Sequence, residues 1–333
     1  MKKIKYIIII FYLTLFNTND VNANDSFEEW KSNFFKYAIS EGVSKKTLSL
    51  VIEDLRFLPK VIEYDRHQPE FYEDTNTYIT KRTGSKKVSI GIQTYKRDSD
   101  LINQVEKKFN VEKELLLSLM GIETNFGKYL GKMDILSSLA TLSYDKRRSE
   151  FFTKELIIAL KLIDNKKIKH DELYGSWAGA FGNFQFMPST ILNNAIDYNN
   201  DNLIDLKSTE DSFASAANYL SKLGWDTKRK CYTEITLDEK IPLKYLNYSA
   251  RKIKNKNKLS YFKKYIKNFD NIYQNEDEIV AIITPDKEIV ENSNLYSPAY
   301  LIYDNYEIIL QWNRSLRFAL AVCTLKDKFK NEL

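Results

Sequence analysis

The sequence predicts a mainly α protein of the α+β type. Three observations carry this. Apolar residues recur at helical spacing along most of the 333-residue chain. Short β-branched and aromatic runs are confined to the stretch 279–312, where turn signals separate them. Hydrophobic content of 43% with 14% aromatics suits a buried core, and the length suits two or three subdomains.

In chain order, Lys2, Lys3 and Lys5 precede an apolar run over 6–16, and Val21-Asn22-Ala23 closes a polar stretch. This is the pattern of a secretory signal peptide cut after Ala23. Eleven apolar residues are too few for a helix to span a bilayer. Periplasmic export is expected, with membrane association left open, although no Cys lies near the cut to carry a lipid. Residues 1–23 hold three Lys and one Asp, so the formal charge falls from +5 to about +3 on cleavage. Export argues against nucleic acid as a partner, while mild basicity suits an anionic polymer.

Ser26 and Glu29 form a capping box that opens a helix through Trp30, Phe34, Phe35 and Ala38, stopped at Gly42. Leu48, Val51, Ile52 and Leu55 predict a second helix over 45–58, with Pro59 as its stop. The charged segment 59–71 follows. Residues 72–91 are polar, contain Gly84 and Gly91, and read as an irregular linker. A helix over 94–109 leads into 115–131, LLLSLMGIETNFGKYLG. Helices are further expected over 133–144, 147–164, 188–197, 211–223 and 315–329. Strands are expected at 279–284, 299–303 and 307–312.

Leu116, Leu119 and Met120 stand seven, four and three residues before Glu123, so Glu123 falls on the apolar face of its helix. A carboxylic acid in apolar surroundings holds its proton to higher pH and can donate it to a leaving oxygen. The plain alternative is a helix-terminal Glu that reaches water, and this stretch alone favours it. The second informative stretch is 174–189, YGSWAGAFGNFQFMPS. Its glycines permit close backbone approach. Trp177, Phe181, Phe184 and Phe186 offer flat faces for sugar rings, and Ser176 and Gln185 offer hydrogen bonds. A ligand-lining loop is the favoured reading, against a packing turn between helices.

In DYNNDNLIDLKSTED (197–211), Asp197, Asn199, Asp201 and the Leu203 carbonyl fall at positions 1, 3, 5 and 7 of an EF-hand-like loop. Position 6 is Asn202, not Gly, and position 12 is Ser208, not Glu. Asp211 can supply the missing carboxylate if the loop is longer. An acidic surface loop is the alternative. Cys231 and Cys323 fit either a disulfide in an oxidising compartment or buried thiols, and do not make a zinc site. His67 and His170 show no ligand spacing and read as structural or surface residues. Residues 251–267 hold eight Lys or Arg and no acid. A solvated face is the ordinary explanation, and attraction for an acidic polymer the functional one.

Together, GIETNFGKYLG, GSWAGAFGNFQFMPS, DYNNDNLIDL with Asp211, ASAANYLSKLGW (214–225), VIEYDRHQPEF near the N-terminus and QWNRSLRFALAV (311–322) resemble the MltB-type membrane-bound lytic murein transglycosylases. The resemblance covers nearly the whole mature chain and is weakest over 226–298. It implies a lysozyme-like helical core and cleavage of the MurNAc–GlcNAc β-1,4 bond of peptidoglycan without water, the MurNAc C6 hydroxyl closing a 1,6-anhydro ring. It implies Glu123 as the single acid/base. It implies substrate contacts from Ser176, Gln185, Tyr219 and Asn313, with Trp312 keeping a stacking face, while Trp177 is a candidate contact from the residues of the Gly-aromatic loop themselves. It implies a structural Ca²⁺ held by Asp197, Asn199, Asp201, Leu203 and Asp211, and no organic cofactor. Phe184 stands where a smaller residue is common, and Trp312 where Tyr is common.

One carboxylate suffices when the substrate brings its own nucleophile, whereas a hydrolase needs a second placed carboxylate, for which Asp134 and Asp145 are candidates. A lysozyme-type muramidase and a non-catalytic peptidoglycan-binding scaffold are therefore the alternatives. The expected organisation is a signal peptide (1–23), a helical N-terminal lobe (24–96), a catalytic core with the calcium loop (97–228), a small β lobe (229–314) and a C-terminal helix packing back on the body (315–333). The expected partner is the peptidoglycan glycan strand, with other cell-wall enzymes open and a monomer expected.

Overall fold

The computed structural model describes residues 23–66, 73–272, 275–287, 290–291 and 293–333. The stretch before Ala23 expected to be a signal peptide, His67 and the end of the VIEYDRHQPEF motif lie outside the described residues. The chain is mainly helical, as its apolar spacing predicts. Thirteen α-helices are described: α1 (Ala23–Ser40), α2 (Lys45–Val51), α3 (Pro59–Arg66), α4 (Thr75–Arg82), α5 (Ser85–Phe109), α6 (Lys113–Thr124), α7 (Ile135–Tyr144), α8 (Ser149–Asp164), α9 (Pro188–Asn194), α10 (Thr209–Lys222), α11 (Leu259–Phe262), α12 (Asp304–Trp312) and α13 (Leu316–Glu332). Seven short strands complete it: β1 (Met133–Asp134), β2 (Tyr174–Gly175), β3 (Tyr232–Ile235), β4 (Leu246–Asn247), β5 (Asn257–Lys258), β6 (Ile279–Ile283) and β7 (Ala299–Ile302).

Helix α6 is the centre. Leu115, Leu116, Leu117 and Leu119 have no solvent exposure, and α5, α10 and α13 pack around them. Each such leucine contributes about 1.5–3 kcal/mol by burial, so this helix is anchored far more firmly than its twelve residues would be alone. The C-terminal helix α13 is its main partner. A disulfide from Cys323 in α13 to Cys231, just before β3, has Cα atoms 6.1 Å apart and joins α13 to the start of the sheet. Pairing is therefore the state of the two cysteines, not burial as free thiols.

The sheet runs β3–β7–β6–β4, with β5 added to β6. Strands β3, β7 and β6 pair antiparallel and β4 joins β6 in parallel. It carries a second apolar core that includes Leu246, Phe262, Ile282 and Leu301. The buried Arg317 of α13 pairs with Asp286 after β6 at 3.1 Å, and Thr75 of α4 bonds to the same carboxylate. This buried contact fastens α4, α13 and the sheet at one point.

Several expected elements differ. Residues 72–91 are not a linker: Asp74 caps α4 by accepting from the Thr77 amide, and α5 begins at Ser85. Gly91, which reads as a breaker, is the floor on which Phe329 and Phe126 lie; a Cβ there would stand 2.2 Å from the Phe329 ring. Residues 307–312 are helix α12, not a strand. Ile308 and Ile309 favour a strand locally, but Tyr306, Ile309 and Leu310 are buried together at helical spacing, and Asp304 and Glu307 suit the helix N-terminus. Met133 and Asp134 pair with Gly175 and Tyr174 before α7 starts. Asp134 caps α7 through the Ser137 amide. Helix α2 stops at Val51, well short of Pro59. No helix among the described residues is long and apolar enough to cross a membrane.

Candidate active site

Glu123 is the penultimate residue of α6 and is half-buried. The helix ends because Asn125 adopts the left-handed conformation, followed by Phe126 and Gly127 with φ of 60° and 79°. Asn tolerates that region and Gly favours it, while Phe126 is there at a cost. Its ring is held over Gly121, where a Cβ would stand 2.7 Å away, and edge-on to Phe329. Tertiary packing thus fixes the turn that delivers Glu123.

Beside it lies Trp312, the last residue of α12. Its indole N–H donates to Glu123 Oε1 at 3.0 Å across 189 residues of sequence. The Trp312 ring sits 5.3 Å from Phe186, 6.3 Å from Phe184 and 5.3 Å from Tyr219 of α10. Tyr219 also meets Phe186 edge-on, and burial pushes its phenol above the usual range. The Gly-aromatic loop, α10 and α12 therefore converge on the carboxyl group that ends α6. Phe181, Phe184 and Phe186 are buried in the core and do not present the open faces their spacing suggested, which leaves the partly exposed Trp312 and Tyr219 as the aromatic faces beside a carboxyl group that can move a proton.

The remaining expected site residues are placed variously. Gln185, at φ 51°, donates from Nε2 to the carbonyls of Gly182 and Leu130, so it joins the Gly-aromatic loop to the loop that follows Glu123. Ser176 Oγ accepts from the Ala180 amide and shapes its own turn. Trp177 is half-buried against the main core. Asn313 follows Trp312 as the C-cap of α12 and is half-buried. Asp134 caps α7 and Asp145 pairs with Arg66 at 3.0 Å, so both candidate second carboxylates serve structural contacts.

Sequence reasoning missed Thr124 and Asn183. Thr124 Oγ1 donates to the Asn183 carbonyl at 2.8 Å and accepts from the Gly127 amide. Asn183 Nδ2 donates to Lys207 O, Ser208 O and Ser212 Oγ. This buried chain links the end of α6, the Gly-aromatic loop and the 197–211 loop. The available signal was a polar residue beside Glu123 on a buried helix and an Asn among buried phenylalanines. Lys87, also missed, donates to Gly121 O at 2.6 Å, and burial pulls its ammonium below the usual lysine range.

The 197–211 loop is wound on its own amides. Asp197 accepts from Asp201 and Asn202, Asn199 from Asp201, and Asp201 from Leu203. Asn200 and Asn202 take positive φ, the latter in place of the usual Gly. Asp211 is fully buried and accepts from the amides of Tyr198 and Asp205, and burial pushes its carboxyl above the usual range. Among the described residues no three Asp, Glu, His or Cys side chains are gathered as a ready-made cage. The donors are all oxygens, and a buried carboxylate facing a loop of this kind fits a hard cation.

Comparison with known proteins shows the family and the fold. The family described as the transglycosylase SLT domain matches residues 26–327. Membrane-bound lytic murein transglycosylase B of Escherichia coli K12 is 36% identical over 139 residues; the match spans 41% of this chain and 38% of that relative's length. The structure of SltB3 from Pseudomonas aeruginosa in complex with NAG-anhNAM-pentapeptide superposes with a TM-score of 0.80 at 28% identity, covering 91% of this chain and 79% of that one. The Escherichia coli lytic transglycosylase SLT35 in complex with calcium superposes with a TM-score of 0.75 at 23% identity, covering 91% and 93%. The last likeness shows the fold.

Proposed function

This chain belongs to the SLT transglycosylase family, and from that membership and the aromatic rings around Glu123 we propose that it is a lytic transglycosylase cleaving the MurNAc–GlcNAc β-1,4 bond of peptidoglycan. The observation that carries the reading is the bond from Trp312 Nε1 to Glu123 Oε1 inside the Phe184–Phe186–Tyr219 cluster. It sets one carboxyl group beside the partly exposed Trp312 and Tyr219 rings, while Asp134 and Asp145 are engaged elsewhere.

The step balances with that single group. The Glu123 carboxyl gives its proton to the glycosidic oxygen, and the C1–O bond breaks. The C6 hydroxyl of the same MurNAc attacks C1, and its proton passes to the Glu123 carboxylate. A 1,6-anhydro end forms, no water is consumed, and the acid is restored. A bound strand lying over Trp312 and Tyr219 would displace water from that face, which favours internal attack. The roles of Ser176, Trp177, Gln185 and Asn313 in holding the strand are part of this proposal, as is export to the periplasm.

The residues of the 197–211 loop that would hold a Ca²⁺ ion are Asp197, Asn199, Asp201, the Leu203 carbonyl and Asp211. The calcium-bound SLT35 and the all-oxygen donor set support this. Bound there, the ion would fix a loop that Asn183 ties to the Gly-aromatic loop.

Product analysis tests the function. Digested peptidoglycan is expected to carry 1,6-anhydro-MurNAc ends by mass spectrometry, and reducing MurNAc ends would replace the assignment with a muramidase. Glu123→Gln is expected to abolish lysis; full activity in that variant would remove Glu123 as the acid.

A further inference from the structure

Seven of the eight cations of 251–267 divide into two sets; the eighth, Lys267, is also exposed and lies beside Thr236, to whose carbonyl its amide donates at 2.8 Å. Lys256 pairs with Glu307, Lys258 with Asp277 at 2.8 Å and Lys263 with Glu276 at 2.9 Å. Lys264 lies over the rings of Tyr261 and Tyr265 at 5.2 and 4.9 Å. Arg251, Lys252 and Lys254 differ. All three are exposed within one loop, and none has an ion-pair partner among the described residues.

That loop is ordered by its own chemistry. The Asn247 side chain, 7% exposed, accepts from the Lys254 amide at 2.8 Å and donates to the Lys254 carbonyl at 3.1 Å and the Ile282 carbonyl at 3.0 Å. Asn255 turns the chain at φ 54° and bonds back to Lys244 O. Ala250 and Ile253 pack on the main core, and Tyr248 is 41% exposed. The loop is fastened by Lys256 to Glu307 of α12. Glu307 stands five residues before Trp312, about 7.5 Å along the helix. Three cations within four residues make a local positive field that water and salt screen and that an anionic partner would complement.

We propose that loop 248–256 binds carboxylates of the peptide stems on the glycan strand whose sugars lie at Glu123. This rests on the glycan-cleaving reading above. A strand held at the α12 terminus continues past it, and its regularly spaced anionic stems complement Arg251, Lys252 and Lys254. Their flexible side chains suit carboxylates at variable positions, and the Tyr248 ring suits the apolar face of a sugar or peptide. The surface acts by attraction and is expected to weaken as salt rises.

The test uses the full chain carrying Glu123→Gln, so that strands are bound and not consumed. Arg251→Glu, Lys252→Glu and Lys254→Glu are added together, and pelleting with purified sacculi is measured at low and high salt. Affinity for peptide-bearing sacculi is expected to fall about tenfold at low salt, with the difference closing at high salt. Peptide-bearing sacculi whose carboxylates are blocked by carbodiimide coupling to a neutral-ended amine keep their cross-links and still pellet, and they are expected to show less than about a twofold difference. Equal affinity of the two proteins for peptide-bearing sacculi overturns the proposal. So does an equal loss on the carboxylate-blocked sacculi. If the Glu123→Gln parent does not bind sacculi at all, the cleft reading fails along with it. Should the charge-reversed protein fold poorly, the Arg251→Gln, Lys252→Gln, Lys254→Gln variant is expected to show the same selectivity with a smaller loss, and equal binding there overturns the proposal too.

Discussion

Replacing Trp312 by Phe removes one N–H and keeps a ring against Phe184, Phe186 and Tyr219. The lost bond is 3.0 Å long and ends on a carboxyl oxygen. Hydrogen bonds to charged groups contribute about 1.5–3 kcal/mol, which bounds the effect at about 10- to 150-fold in rate. Trp312 and Glu123 are only half-buried, so the lower end applies. The donor favours the ionised carboxylate, which forms as the proton passes to the leaving oxygen. The bond therefore strengthens toward the transition state, and the loss is expected in kcat more than in KM. Without the donor the ionised form is disfavoured, so the limb of the pH–rate profile on which Glu123 ionises moves upward. The assay is the rate of anhydromuropeptide release from purified sacculi across pH. Two results refute the reasoning: an unchanged kcat with an unshifted profile, or a loss carried wholly by KM, which would make Trp312 a stacking face only.

Other outcomes follow from the same structure. Cys231→Ser with Cys323→Ser opens a link spanning 92 residues and is expected to cost about 4–5 kcal/mol on the chain-entropy estimate, read from denaturant melts; a loss under about 1 kcal/mol would refute it. Adding Ca²⁺ to a chelator-stripped sample is expected to stabilise by about 2.7 kcal/mol at a hundredfold excess over Kd, seen as a rise in Tm, and Asp211→Asn is expected to abolish the rise. Asp164 is held below the usual carboxylate range by the Ser44 hydroxyl first and then the Thr47 hydroxyl. A depressed acid stabilises above its unfolded value of about 3.9 and loses that contribution as pH falls through the lower folded value. Melts from pH 5 downward are expected to show a steeper loss for the wild type than for Asp164→Asn.

Local pattern carried much of this protein. Leu115 to Leu119 as a buried helix ending at Glu123, the Gly-aromatic loop, the strands at 279–283 and 299–302 and the amide-wound 197–211 loop are all written in short windows, because helix period, β-branching and turn chemistry act between near neighbours. Where local and distant forces disagree, the sequence alone misled. Ile308 and Ile309 read as strand, yet burial of one face of α12 prevails. Gly91 reads as a breaker, yet Phe329 from the other end of the chain needs the space above it. The Trp312 bond to Glu123, the Cys231–Cys323 link and the Arg317–Asp286 pair join residues 189, 92 and 31 positions apart. No periodicity announces such contacts; they exist only once α6, α12, α13 and the sheet are packed, because the energy that sets them is the burial of faces whose partners lie elsewhere in the chain.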